Sequence, residues 1–255
     1  MSMSNSMFGT YEQLASEYYD SSRHPTCANF REGSILLLHS WLRKLLPVRG
    51  RFCEVGCGMS VGAELLAGNG AALDRLTLVD SSRSMLGHSR KYANLGAQLL
   101  VGDAFLLPLP SQSFDFVLSS LCDPYNKLSF WKEVHRILLP DGIAFITTPS
   151  YDWAAAFRRS SEYARQSAEF ELSDGRRLHV PSWIYPKDVQ RKLIEESGLL
   201  VKEVVDVAIS ALKSERLSPK LVLERGSGAS MVTGFLLRKA CRSRSLIDGN
   251  ATPEV

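Results

Sequence analysis

The sequence predicts an α/β protein: a doubly wound, seven-stranded and mostly parallel sheet with antiparallel terminal strands and a small insertion over the active site. Three observations carry that prediction. Short apolar runs alternate with amphipathic segments between residues 51 and 147, the rhythm of successive βαβ units. The first of these runs breaks into a glycine-bearing loop, Val55-Gly56-Cys57-Gly58. Beyond residue 150 the rhythm fails: Asp174-Gly175 between extended runs signals a hairpin, and two long apolar runs, 201–209 and 232–238, have no clear crossover helix between them.

Taken in order, residues 9–20 are expected as a short helix, with Tyr11, Leu14, Ala15 and Tyr18 on one face, followed by loop through Asn29. A stronger helix is expected over 33–46, where Ile35, Leu38, Trp41, Leu42 and Leu45 form a stripe and Pro47 ends it. Strand 51–55 leads to helix 61–67, closed by Gly68; strand 76–79 leads to helix 84–94; strands 98–101 and 114–118 follow. Helix 128–138 carries Phe130, Trp131, Val134, Ile137 and Leu138, and Leu139-Pro140-Asp141-Gly142 has the residues of a tight turn before strand 143–147. A helix over 186–197 stops at Gly198, and residues 240–255 read as a disordered tail.

Composition narrows the class. With 255 residues and 45% hydrophobic content, the chain can bury one sizeable α/β core, and 22% charged residues is ordinary. No apolar run reaches the length of a membrane span, and the polar first ten residues lack the core of a signal peptide, so a cytoplasmic location is expected. Five cysteines without a C-x-x-C pair fit reduced thiols better than disulfides or a metal site, and no metal is expected. A net charge of +3 is too mild to argue for nucleic acid. The basic clusters Arg158-Arg159, Arg176-Arg177, and Arg238-Lys239 with Arg242 and Arg244 read as solvated surface or as contacts for an anion.

The chemistry gathers at the strand ends. Gly56 and Gly58 allow a backbone bend and the close approach of a ligand that a Cβ would obstruct. Asp80 closes the next strand, where two carboxylate oxygens match the two hydroxyls of a ribose. Asp103 ends the third, within reach of an adenine amino group. In an open α/β sheet these carboxyl ends converge on one crevice, so Glu54, Asp80 and Asp103 at three successive strand ends describe a single binding site. The loop lacks the G-x-G-x-x-G spacing of a dinucleotide fold, which argues against a nicotinamide enzyme.

Glu54-Val55-Gly56-Cys57-Gly58, Val79-Asp80, Gly102-Asp103-Ala104, and the run from Leu107 through Phe114-Asp115-Phe116-Val117 together resemble the successive motifs of class I, Rossmann-like S-adenosylmethionine-dependent methyltransferases. The likeness is closest to the ubiquinone and biotin-pathway group and continues through Glu133-Val134-His135-Arg136-Ile137-Leu138-Leu139-Pro140-Asp141-Gly142. By that resemblance the cofactor is S-adenosylmethionine. Glu54 contacts its methionine end, Gly56, Cys57 and Gly58 let it approach, and Asp80 with Ser81 holds the ribose. Asp103 and Ala104 frame the adenine, Met85 packs on the ribose or the adenine, and Ser119 and Ser120 border the methyl donor. Tyr18-Tyr19-Asp20 resembles the Tyr-Asp that caps the cofactor in some relatives, which marks Tyr19. The sequence departs from the family where Ser60 replaces a third glycine, a tolerable change since serine caps helices well. The resulting division is a capping segment over 1–30, a Rossmann-like core over 31–149, a substrate-side insertion with a hairpin over 150–185, the rest of the core over 186–239, and the tail.

Methyl transfer needs alignment above all, and proximity alone contributes on the order of 7–11 kcal/mol. A base is optional, depending on the acceptor atom. Asp123, His179 and His24 are the candidate catalytic residues; His39 and His135 lie on expected helices and read as packing. The expected acceptor is an O or N atom of a small or medium organic molecule, held by Tyr151, Trp153, Phe157, Tyr163, Phe170, Trp183 and Tyr185, residues that could equally pack the insertion on the sheet. Two alternatives stand beside it. A nucleic-acid methyltransferase would use a loop such as Cys122-Asp123-Pro124-Tyr125-Asn126, which has only one proline and sits too far past Asp115; a non-catalytic binder would keep the cofactor site alone.

Overall fold

The computed structural model describes residues 3–45, 49–157, 166–213, 216–222 and 230–240. Of the expected 240–255 tail all but residue 240 lies outside them, as do Arg158-Arg159, Tyr163, Arg242, Arg244, Pro47 and the Phe157 side chain.

Two helices open the chain, α1 (Met3–Leu14) and α2 (Pro25–Arg43). The second begins eight residues before the expected start. Its signal is Pro25 in the first turn, where the missing N–H has no helical partner to lose. The core then alternates as expected: β1 (Phe52–Val55), α3 (Val61–Gly68), β2 (Leu76–Asp80), two short helices α4 (Arg83–Gly87) and α5 (Arg90–Ala93), β3 (Gln98–Val101), β4 (Phe114–Ser119), α6 (Leu128–Ile137) and β5 (Leu138–Pro149). The expected single helix over 84–94 is broken at His88-Ser89, where the Ser89 hydroxyl donates to the Gly58 carbonyl at 2.6 Å and accepts the Ser60 N–H at 2.8 Å. The expected turn at 139–142 is absorbed into β5 as an irregularity. Asp141 takes a φ of +62°, and the register with β4 shifts between Phe114 and Phe116.

After α7 (Tyr151–Phe157) the insertion forms a hairpin, β6 (Ser167–Glu171) and β7 (Arg177–Pro181), paired from Ser167↔Pro181 to Glu171↔Arg177, with Gly175 at φ +82° in its turn. Helix α8 (Lys187–Glu196) leads to β8 (Leu199–Ala208); α9 (Pro219–Val222) and β9 (Ser230–Lys239) follow. The sheet order is β3-β2-β1-β4-β5-β9-β8, with β9 antiparallel to both its neighbours.

Alternation along each strand sends side chains to opposite faces. Phe52, Leu78, Leu118 and Phe145 join Leu38, Trp41 and Leu66 on one side of the sheet. Val55, Val79, Val117 and Ile146 join Phe130, Trp131, Ile137 and Ile194 on the other. Since β2 and β4 flank β1 on opposite sides, the chain reverses its direction of winding there, and the loops after β1 and β4 part to open a crevice.

Candidate functional site

That crevice is a cavity of about 1300 Å³. Its floor is the carboxyl ends of β1, β2, β3 and β4. Its roof is the segment around α1 together with the β6–β7 hairpin. The roof holds together through its own small core, Leu14, Phe170, Leu172 and Val180, and through Glu17, which accepts the Ser173 N–H at 2.8 Å. It is pinned to the floor by Glu12, whose carboxylate accepts the Arg83 N–H at the start of α4 at 2.5 Å, and by His88 Nε2 bonded to the Ala15 carbonyl at 2.9 Å.

The glycine loop is shaped from both sides. Gly56 has a φ of +65°, and a Cβ there would lie 2.0 Å from the Tyr125 hydroxyl. Tyr125, from the turn after β4, donates to the Val55 carbonyl at 3.0 Å and shares a 2.7 Å hydrogen bond with Ser119, whose hydroxyl also reaches Val55 O at 3.0 Å. Gly58, φ +43°, is covered in the same way: a Cβ would lie 2.2 Å from the Tyr19 hydroxyl, which accepts the Met59 N–H at 2.7 Å. Arg31 holds this corner by donating to the Met59 carbonyl at 2.7 Å, with its guanidinium 5.8 Å from the Tyr19 ring centre.

The acidic residues divide between wall and frame. Asp80 borders the cavity and is buried; Oδ2 accepts the Gly58 N–H and Oδ1 the Ser82 N–H, each at 2.9 Å. Burial pushes its carboxyl up to about 6 against the pull of those donors. Each oxygen keeps acceptor capacity, which is what a vicinal diol needs. Glu54 instead lies behind the wall. Its carboxylate takes the Val61 and Gly62 N–H groups at 3.0 Å each and the Ser60 hydroxyl, capping α3, and burial raises it to about 7. Glu54 is expected at the methionine end; in the structure its carboxylate is bonded to the start of α3 and it is not among the residues that border the cavity. Asp103 closes its own turn by accepting the Phe105 N–H at 2.9 Å, leaving Gly102 and Ala104 on the wall.

Of the other expected site residues, Tyr19, Gly56, Cys57, Ser81, Met85, Ser120, Asp123, His24 and His179 border the cavity, whereas Gly58 and Ser119 stand behind it. Ser120 bonds to Ser34 at 2.7 Å, and the next residue, Leu121, holds a φ of +57° while its N–H donates to Thr147 Oγ1 at 2.9 Å. A left-handed leucine is costly, and it aims the following turn at the cavity. There Asp123 accepts the Ser182 hydroxyl and, through its carbonyl, the Trp183 N–H at 2.8 Å, tying the hairpin's exit to the floor. His179 is on β7, 3.7 Å from Glu169 and 40% exposed. His24 packs edge-on to Phe170 at 5.4 Å, and burial lowers its pKa. The sequence reading did not mark Arg31 or Ser89, which have no local motif; it saw Tyr11 only as part of a helix face, Tyr18 on that face and in the capping Tyr18-Tyr19-Asp20, and Tyr125 only within the loop Cys122-Asp123-Pro124-Tyr125-Asn126.

A cavity of about 1300 Å³ exceeds the roughly 300–1,000 Å³ of a single small-ligand site, leaving room for a nucleoside cofactor and a second molecule. Its donor set, a diol-matching carboxylate beside glycine backbone, fits an adenosyl ligand.

Comparison with known proteins agrees. Residues 53–146 match the methyltransferase domain family. The chain is 39% identical over 161 residues to "Arginine-hydroxylase NDUFAF5, mitochondrial" of Danio rerio, covering 62% of this chain and 48% of that protein. It is 35% identical over 125 residues to a fatty-acid O-methyltransferase of Mycolicibacterium smegmatis, covering 47% and 45%. The chain thus spans about half the length of these curated relatives. The crystal structure of an S-adenosylmethionine-dependent methyltransferase from Mesorhizobium loti superposes with a TM-score of 0.56 at 21% identity, over 78% of this chain and 96% of that one. Fold, motifs and family match converge: residues 53–146 match the methyltransferase domain family, and the chain has the fold of S-adenosylmethionine-dependent methyltransferases.

Proposed function

We propose that the chain transfers a methyl group from S-adenosylmethionine to an oxygen or nitrogen atom of a small or medium organic acceptor. The observation that carries this reading is a roofed cavity, larger than one ligand needs, running from Asp80 to Phe170 and His179. When bound, the cofactor supplies a methyl group activated by its sulfonium. Asp80 with Ser81 holds the ribose, Ala104 and Met85 flank the adenine, Gly56 and Cys57 admit the methionine end, and Tyr19 covers it. Glu54, Gly58, Asp103 and Ser119 set the shape of that bed from behind. Ser120 and Asp123 face the acceptor, and Asp123 is the candidate to receive an acceptor proton, with His24 and His179 further out. The roof excludes water and fixes the approach of the acceptor, which is where most of the rate arises.

Two features weigh against a nucleic-acid acceptor. Tyr125, the aromatic residue of the loop that would grip a base, is buried with its hydroxyl bonded inward, and the net charge is only +3. Cys53, Cys57 and Cys122 are buried free thiols, which supports a reducing, cytoplasmic setting as part of the same proposal. Among the described residues, no helix is long and apolar enough to cross a membrane.

The test is calorimetry with S-adenosylhomocysteine, followed by transfer of labelled methyl from S-adenosylmethionine to a panel of hydroxyl, amine and carboxylate acceptors and to RNA. Binding of S-adenosylhomocysteine with transfer to a small acceptor supports the reading. Transfer to RNA alone, with steep salt dependence, would replace it with the nucleic-acid alternative.

A further inference from the structure

Three polar groups of the roof have no hydrogen-bond partner among the described residues. Tyr11 on α1, Tyr18 just after it and His24 ahead of α2 all border the cavity. His24 Nε2 is buried and has no hydrogen-bond partner. Among the described residues neither the Tyr11 nor the Tyr18 hydroxyl forms a hydrogen bond; their rings make aromatic contacts, Tyr11–Tyr18 at 6.1 Å and Tyr18–Phe170 at 5.8 Å. The floor is the opposite case: Asp80, Glu54 and Ser119 are each engaged. Folded proteins satisfy nearly all enclosed polar groups, so the bare His24 Nε2, with two unbonded hydroxyls in the same cavity-lining aromatic cluster, marks a place where a ligand completes the bonding.

Charge around the cluster is uneven. Asp123 lies near Tyr11 and Tyr18 and Asp80 near Tyr11, whereas around His24 Glu17 and Asp20 are offset by Arg23 and Lys220, with Arg23 paired to Glu17 at 3.0 Å. An ion entering this space would lose hydration, and an anion would in addition face Asp80 and Asp123, whereas an uncharged polar group is matched by phenol and imidazole.

We infer that Tyr11, Tyr18 and His24 are the specificity-determining set for the acceptor, and that they hold an uncharged, oxygen-bearing group (hydroxyl, carbonyl or amide) on an apolar body packed against Phe170. This rests on the methyltransferase reading, which it sharpens from acceptor size to acceptor chemistry. Neutral side chains suit the role: burial raises both tyrosines and lowers the histidine, so all three stay uncharged near neutrality.

The test uses three probes of one size, 2-naphthol, 2-naphthoate and 2-naphthylmethylammonium, titrated at pH 7 with and without S-adenosylhomocysteine. The expected result is 2-naphthol binding about tenfold or more tighter than either ion, a difference of about 1.4 kcal/mol. The Tyr11→Phe, Tyr18→Phe double variant, which removes two oxygens and no packing surface, is expected to weaken 2-naphthol about tenfold; adding His24→Leu is expected to close the gap between the probes. Either ion binding as well as 2-naphthol overturns the inference, as does an unchanged affinity in the variants or no binding of any probe. S-adenosylhomocysteine is titrated separately. Its failure to bind wild type sinks the methyltransferase reading; its retained affinity in the variants shows that an effect on the probes is local to the roof.

Discussion

The floor and the roof of the cavity enclose the same space by different means. The floor is made of strand ends whose polar groups are bonded to the backbone that carries them: Asp80 to Gly58 and Ser82, Glu54 to the start of α3, Ser119 to Val55. The roof comes from two distant stretches, α1 with its following turn and the β6–β7 hairpin, which meet through Leu14, Phe170 and a few exposed polar bonds. A self-satisfied floor suits one invariant ligand. A roof with open hydrogen-bonding groups suits a partner that brings its own.

The largest effect expected from breaking the comparison is at Gly56. Alanine there must take a positive φ and displace Tyr125, whose ring carbon Cζ lies 2.6 Å and hydroxyl 2.0 Å from the added Cβ. Gly56→Ala is expected to abolish measurable S-adenosylhomocysteine binding by calorimetry. Affinity within tenfold of wild type would mean that the loop does not need this conformation. Asp80→Ala comes next, with more than a tenfold loss through the ribose contact, while Tyr11→Phe in the roof leaves cofactor affinity unchanged. Affinity should also fall as pH drops through about 6, where the Asp80 carboxylate takes up its proton, and Asp80→Asn should flatten that profile.

The same division explains what could be read in the sequence. The order of core elements was legible because each strand is a short apolar run and each loop ends in glycine or aspartate. The hairpin was legible because Asp174-Gly175 is a local turn signal. The helix break at Ser89 was not, because it follows from bonds to Gly58 and Ser60 about thirty residues away. Tyr19, through its likeness to a capping Tyr-Asp, and Tyr125, within the loop after the fourth strand, were legible as residues, but their place against the glycine loop was not. Each fills the space left by a glycine, and only the folded chain shows which side chain arrives there. For Glu54 the residue was legible, and its bonds to the start of α3 were not, because they depend on how the glycine loop folds back onto the strand.

Glu54 gives a smaller, pH-dependent effect. Its ordinary value is 4.5, and burial raises it to about 7 in the folded protein. The stability it contributes is therefore fully present below about pH 4.5 and is lost as pH rises through 7, by roughly 3 kcal/mol in all. Glu54→Gln costs a fixed amount through its mismatched amide but removes this slope. Urea titrations at pH 5 and pH 8 are expected to show wild type losing more stability between them than the variant. Equal losses would show that the carboxylate is not held as described.

The smallest effect expected is at Tyr125. Tyr125→Phe deletes the hydroxyl from its triangle with Val55 and Ser119, yet Ser119 still reaches the Val55 carbonyl at 3.0 Å, so no acceptor is left bare. The cost is about 1 kcal/mol, or a Tm lower by about 2–4 °C. Paired with Gly56→Ala, the position distinguishes two causes. Phenylalanine keeps the ring, with Cε1 2.8 Å from the added Cβ, so Tyr125→Phe should not rescue Gly56→Ala, whereas Tyr125→Ala clears the space and leaves only the positive φ. If cofactor binding returns in the Tyr125→Ala background, the glycine is there to make room for the ring. If it stays lost in both backgrounds, the left-handed turn is what the loop requires, and the tyrosine merely occupies the space that turn leaves.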